Sequence, residues 1–228
     1  MVNLRNVMID LDKPIDEQLP KGLKDALIAD GTIALKSASP FVNIKEDFNA
    51  NGNGFGDDLG AFNSALEHLN SIGGGTLYIP PGVYPVSNSV GLGATPISNI
   101  SILGAPGYSS QIMSAGNHSP VAASMYRSII SGVYLNANDT GAPGANLHMV
   151  ESIVDELLVD NWNGSGLRLN DGTFGDLGLL NRIRNCHIVQ NTGTGIFQTY
   201  RWIDSWIEGN NIGSSESNLS LEGGPIRV

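Results

Sequence analysis

Residues 42–84 read VNIKEDFNANGNGFGDDLGAFNSALEHLNSIGGGTLYIPPGVY, and their order governs how the rest of the chain is read. An extended run ends at Asp47-Phe48, and a Gly/Asn-rich turn follows. Asp57-Asp58 then opens a stretch in which Leu59, Phe62, Leu66 and Leu69 recur at helical spacing, giving one apolar stripe. A short carboxylate at Asp57 or Asp58 can accept the unpaired first N–H groups of that helix and complement its positive end. Gly73-Gly74-Gly75 stops the helix, because glycine reaches left-handed dihedrals without steric cost. Thr76 to Ile79 alternates as a strand, and Pro80-Pro81-Gly82 forces a turn.

The pattern carried by Asp47, Phe48, Ala50, Gly52, Gly54, Asp57, Asp58, Ala61, Phe62, Gly73, Gly74, Gly75, Tyr78, Pro80, Gly82 and Tyr84 resembles the opening segment of the pectate-lyase-like right-handed β-helix superfamily. The resemblance implies an all-β chain, a right-handed parallel β-helix whose N-terminal end is covered by the helix. The apolar stripe would then shield a sheet edge and the end of the core from water.

Composition agrees with many short strands joined by tight turns: 228 residues, 29 glycines and only 15% charged residues. After Tyr84 the chain becomes a loose repeat, the mark of a solenoid. Coils are read around Ile100-Ser101-Ile102-Leu103, from Arg127 through Leu135, and from Ile153 to Leu169. Two more run through Ile183 to Phe197 and through Ile203 to Leu221. Asn161, Asn191 and Asn211 are expected to keep register across three coils and to stack at turns, satisfying neighbouring backbone groups. A loop is expected around Asn170 to Leu179. Leu221 to Val228 reads as the middle of a coil, so residues 41–228 are expected to be the N-terminal part of a longer β-helix.

Residues 1–40 form a separate expected module. Pro20 to Gly31 reads as a short helix whose stripe of Leu23, Leu27 and Ile28 is too small to make a core alone. A small head ahead of such a segment resembles the virion-attachment ends of bacteriophage tail spikes and appendages. That resemblance implies a homotrimer, attached to a virion baseplate, neck or tail protein through residues 1–40 and acting on host surface polysaccharide outside the cell. The start of the chain shows no secretory signal, and nothing in it approaches a membrane span, so membrane insertion is not expected. A net charge of −10 argues against nucleic acid and fits a neutral or zwitterionic glycan.

Candidate chemistry lies on the coils. Hydrolysis of a polysaccharide requires two carboxylates several ångströms apart; lyase chemistry requires a base and a cation such as Ca2+ beside the uronate. Asp155, Glu156, Asp160, Asp204 and Glu208 are the candidates, with Asp160 and Glu208 expected to approach each other across stacked rungs. Arg168, Arg182 and Arg184 are of the type that clamps an acidic sugar. Trp162, Tyr200, Trp202 and Trp206, with Tyr134, are candidate platforms for sugar C–H faces, or else fill the core or a subunit interface. Cys186 sits among apolar neighbours as a packed thiol. The four histidines share no metal-ligand spacing, and no metal or other cofactor is expected apart from Ca2+ in the lyase case. Three functions remain: a host-adsorption protein that binds and depolymerises polysaccharide, a non-catalytic structural or receptor-binding appendage, and a free-standing polysaccharide lyase or epimerase.

Overall fold

The computed structural model describes residues 40–93, 95–139, 141–170, 177–189, 192–198, 201–213, 217–221 and 226–227. The expected head module, but for Pro40, lies outside them. The described chain winds into a parallel β-helix with three sheets. The first holds Phe41–Asn43, Gly75–Ile79, Ile100–Gly104, Ile129–Ser131, Ile153–Asp155, Arg182–Arg184, Ser205–Glu208 and Ile226–Arg227, in that order. The second stacks Gly82–Val86, Ser110–Ser114, Tyr134–Asn136, Leu158–Asp160, His187–Ile188 and Asn211–Ile212. The third includes Val121–Tyr126, Ala145–Val150, Asn163–Leu169, Thr192–Gln198 and Ser217–Leu221.

Register explains the core. Because strand side chains alternate, one column of each sheet points inward along the whole stack. In the first sheet this column is Val42, Leu77, Ile102, Ile130, Val154, Ile183 and Ile207, and all seven are buried. In the second it is Tyr84, Ile112, Leu135, Val159, Ile188 and Ile212. Gly144, Gly166 and Gly195 precede inward positions of the third sheet. A Cβ there would sit 2.2–2.4 Å from Val159, Ile188 or Ile212 of the second. Those glycines let the two sheets close on each other.

Corners are made by single left-handed residues. Between the third and first sheets these are Asn99, Arg127, Glu151, Leu180 and Asp204, with φ of 49–57°. The residue after each turns inward, and from Ser128 onward it is polar and buried: Ser128, Ser152, Asn181 and Ser205. Each side-chain oxygen accepts the backbone N–H of the rung before: Ile100 to Ser128 at 3.1 Å, Ser128 to Ser152 at 3.1 Å, Ser152 to Asn181 at 3.1 Å and Asn181 to Ser205 at 3.0 Å. A buried polar ladder thus satisfies backbone groups that the sharp corner removes from the sheets. It takes the place of the expected Asn161–Asn191–Asn211 stack. Asn161 is a left-handed corner residue, Asn211 is a strand residue paired with His187, and Asn191 lies outside the described residues.

The N-terminal cap is a helix, Leu59–Ser71, burying Phe62, Ala65, Leu66 and Leu69 as the apolar stripe requires. The two aspartates divide the work. Asp57 Oδ1 accepts the N–H of Leu59 at 3.0 Å, at the helix start, and that of Ser87 at 3.0 Å. Asp58 makes no cap bond; it is buried and accepts the N–H groups of Asn51 at 2.6 Å and Gly52 at 3.1 Å, closing the glycine-rich turn. At Gly75, with φ of 150°, a Cβ would lie 2.5 Å from the Pro40 carbonyl and 2.8 Å from Leu69. The helix can meet the first strands only over a glycine.

Candidate functional site

The outward columns of the first sheet are where the sequence-predicted residues gather. One column continues Ile129, Ile153, Arg182 and Trp206; the other continues Ser131, Asp155, Arg184 and Glu208. Arg184 donates to Asp155 Oδ2 at 2.8 Å, and Asn185 donates to Asp155 Oδ1 at 3.0 Å. The Asp155 hydrogen bond and charge push Arg184 further up in proton affinity. Arg182 Nε lies 3.4 Å from Glu208 Oε1, and its guanidinium sits over the half-buried Trp206 ring, 5.4 Å from the centroid. The result is a flat aromatic face framed by two cations and two carboxylates. A cleft of about 510 Å³ at the last described coils is lined by the inward-column residues Ile207, Ile212 and Leu219 together with Glu208, Asn210 and Asn211, and so opens on the core side rather than on the outward face. A second cleft of about 520 Å³ lies beside the capping helix, against Asn63, Glu67 and Asn70, and touches none of the candidates. Asn70 there is already spent on the backbone of Pro96 and Ser98.

Asp160 and Glu208 are not brought together. Asp160 ends a strand of the second sheet, in register with Asn136, while Glu208 belongs to the first sheet. Asp160 Oδ2 accepts from the Tyr134 hydroxyl at 3.3 Å, and Oδ1 accepts from Asn161 N–H at 2.7 Å. Burial, then the Asp160 charge, raises the proton affinity of the Tyr134 phenol. Asp204 is an exposed left-handed corner residue, on a different edge of the coil from Asp155 and Glu208.

The aromatic candidates separate by side. Trp162 and Trp202 are 1% and 0% exposed, so neither ring offers a face to a surface ligand. Trp162 follows the left-handed Asn161 and so turns inward. Trp202 pairs with Gly178, where a Cβ would lie 2.0 Å from the indole, and its Nε1 donates to Asn170 Oδ1 at 3.1 Å. Tyr200 lies outside the described residues. Trp206 remains on the surface. Cys186 is fully buried, donates to the Arg184 carbonyl at 3.2 Å, and has its thiol pushed up to about 12 by burial; it is a packing residue without thiolate character. Among the described residues no group of three His, Cys, Asp or Glu could hold a metal ion, and no helix is long and apolar enough to cross a membrane.

Sequence reading missed Tyr108. It sits in the turn 106–109 before the strand Ser110–Ser114, yet its ring meets His187, three strands further along the second sheet, edge-on at 6.0 Å. Nothing local signals that reach, because it depends on how many rungs the turn overhangs.

Known proteins share this architecture. Over 81% of this chain and 62% of the other, the fold matches the A-module of mannuronan C-5 epimerase AlgE6 from Azotobacter vinelandii, with a TM-score of 0.53 and 17% identity. ORF18 of Geobacillus virus E2 matches over 90% of this chain and 44% of the other, with a TM-score of 0.52 and 18% identity. At the sequence level, 45 residues are 49% identical to mannuronan C5-epimerase AlgE6, covering 20% of this chain and 5% of that protein. The chain therefore spans only part of the length of each of these relatives. Residues 41–215, from the first strand of the β-helix to beyond the Trp206–Glu208 face, match a single family. The chain belongs to the rhamnogalacturonase A/epimerase, pectate lyase-like family.

Proposed function

We propose that this chain is the polysaccharide-binding part of a bacteriophage tail spike or appendage, adsorbing to a host surface glycan through the outward face of the first sheet. The observation that carries the reading is Trp206, a ring on an outward column with Arg182 stacked on it at 5.4 Å. Arg182 covers one face of the indole, so a sugar's C–H side would meet the opposite face or the ring edge, while the remaining guanidinium N–H groups donate to the sugar hydroxyls. Asp155, Arg184 and Glu208 add acceptors and donors one column away. Their charges cancel in pairs, which suits a neutral or zwitterionic repeat better than a polyanion. A virus protein among the structural neighbours and an epimerase named for a polysaccharide support a glycan-directed role on a virion. In this proposal the assembly is a homotrimer joined to a virion tail or baseplate protein through residues 1–40.

Binding without cleavage fits the first sheet better than hydrolysis does. Asp155 and Glu208 are two rungs apart, a backbone spacing of roughly 9–10 Å, and Arg184 occupies the rung between them. An inverting hydrolase keeps that space for water. The test mixes purified protein, or particles bearing it, with host surface polysaccharide and follows both bound polymer and polymer size. Polymer retained at constant size, with retention cut about tenfold or more by Trp206→Ala, is the expected result. A fall in size would make the chain a depolymerase, and no retention would overturn the proposal.

A further inference from the structure

We infer that the outward face of the second sheet carries a separate subsite for a neutral sugar, built from Tyr108, Tyr134, Leu158, His187, Asn136 and Asp160. The inference rests on the glycan-binding reading above but places a second contact on a different sheet. Tyr134, Leu158 and His187 follow one another in a single outward column. Tyr134 and Leu158 are half-buried and His187 is exposed. Together they make a short apolar and aromatic strip about two rung spacings long, roughly 10 Å, close to the length of two sugar rings.

Both sides of the strip are built. On one side the turn 106–109 overhangs the corner between the first and second sheets and sets the Tyr108 ring edge-on against His187 at 6.0 Å. Burial, with a smaller contribution from the negative charges of Glu156 and Asp155, raises the proton affinity of the Tyr108 phenol. On the other side runs the column of Asn136 and Asp160. Asn136 is 9% exposed; its Oδ1 accepts from Asn138 N–H at 2.7 Å and from Asn161 Nδ2 at 3.3 Å, and its Nδ2 donates to the Tyr134 hydroxyl at 3.3 Å. That hydroxyl donates in turn to Asp160 Oδ2. The phenol is thereby held between a carboxamide and a carboxylate, its proton directed at Asp160. An apolar floor with aromatic edges and one fixed row of polar groups is how a hydroxyl-rich, uncharged ring is recognised.

Charge sets the class of ligand. The six strands of the second sheet contain no Lys or Arg among their residues, while Asp155, Glu156 and Asp160 lie on or beside the strip. A uronate or sialate finds no Lys or Arg on these strands and meets the Asp160 carboxylate, Asp155 being already paired with Arg184 at 2.8 Å, whereas a neutral hexose or deoxyhexose offers hydroxyl donors to Asp160. The two sheets therefore differ in kind: paired charges and Trp206 on the first, an acidic aromatic strip on the second.

The experiment presents the purified protein to an array of neutral hexose and deoxyhexose oligosaccharides alongside uronate- and sialate-bearing ones. The strongest neutral probe is then titrated against wild type, Tyr108→Ala and Asp160→Asn. Each variant is expected to weaken that probe by about tenfold or more at an unchanged melting temperature, and the Leu158 methyl resonances are expected to shift on titration of the wild type. Tyr108→Ala changes a surface turn, so it keeps the test open if Asp160→Asn unfolds the corner. Neutral binding that survives both variants, leaves Leu158 unmoved and is lost in Trp206→Ala assigns all recognition to the first sheet; the subsite then falls while the proposed function stands. A preference for the uronate or sialate probes overturns the subsite as well. No binding to any probe removes both readings.

Discussion

Within the first sheet, the inward and outward columns follow the same backbone and obey different rules. The inward column is aliphatic from Val42 to Ile207 without interruption. Its outward neighbour runs Phe41, Thr76, Ser101, Ile129, Ile153, Arg182 and Trp206, changing from apolar and small to charged and aromatic along the stack. Inward residues from Leu77 to Ile183 are covered by the rungs on either side, so their identity is fixed by volume. Outward residues touch one another, corner residues and solvent rather than the packed interior, which leaves them free to carry recognition. In a solenoid, then, interior and surface are separable even one residue apart, and substitutions on the two sides should differ sharply in stability.

The largest effect belongs where backbone and packing coincide. Gly75→Val forces a β-branched residue into φ of 150° and drives its Cβ into the Pro40 carbonyl and Leu69. Strain and overpacking together should cost about 3–6 kcal/mol, enough to abolish the cooperative transition in urea. A transition left intact at the wild-type midpoint would show that the cap docks more loosely than these distances require.

Two tryptophans four residues apart sharpen the comparison. Trp202 is fully buried, with its indole N–H bonded to Asn170, so Trp202→Ala should lower stability by about 3–5 kcal/mol. Trp206 stands on the outward column with Arg182 over it, and Trp206→Ala should stay within about 1 kcal/mol of wild type. Paired chemical denaturation curves check both. Equal losses would erase the distinction between the columns and place Trp206 in the core.

That pair also shows what the sequence made legible. The cap segment read through because its signals are local: Asp57 at a helix start, a stripe at helical spacing, and the glycines Gly73 to Gly75 where the helix stops. Assigning the tryptophans required knowing where each corner falls. A single left-handed residue reverses the inward and outward parity of everything after it, and Asn161 does this just before Trp162. Rung lengths vary as well. The steps along the buried ladder are 28, 24, 29 and 24 residues, so an asparagine register drawn through Asn161, Asn191 and Asn211, in steps of 30 and 20, misses the real Ser/Asn ladder. The Tyr108–His187 contact was illegible for the same reason, since it crosses rungs.

The ladder itself predicts an intermediate effect. Asn181→Ala keeps the backbone in place but removes the acceptor for Ser152 N–H at 3.1 Å and the donor to the Met149 carbonyl at 2.8 Å. Both groups lie in the interior, where an unsatisfied partner costs about 1–3 kcal/mol. The midpoint of urea unfolding should fall by that amount while the outward faces keep their ligand affinity. An unchanged midpoint would mean that water enters the corner and replaces the carboxamide.

The smallest effect is electrostatic, and its sign is fixed by pH. Burial pushes the Asp57 carboxyl up, but hydrogen bonds from the Ser87 side chain and from the Leu59 and Ser87 backbone outweigh it and leave the group below its usual range. A carboxylate with a depressed folded value stabilises the fold above its unfolded value of about 3.9, and that contribution is lost as pH falls through the folded value. Asp57 is exposed, so solvent screening keeps the gain under about 1 kcal/mol. Asp57→Asn should therefore melt slightly below wild type at pH 7, and the gap should close as the two are compared at about pH 2–3. A gap that persists into acid would mean that Asn fails to reproduce the cap geometry, moving the cost from charge to shape. That outcome would align the cap with the inward columns, where volume and fit decide, and away from the charged outward face around Arg182.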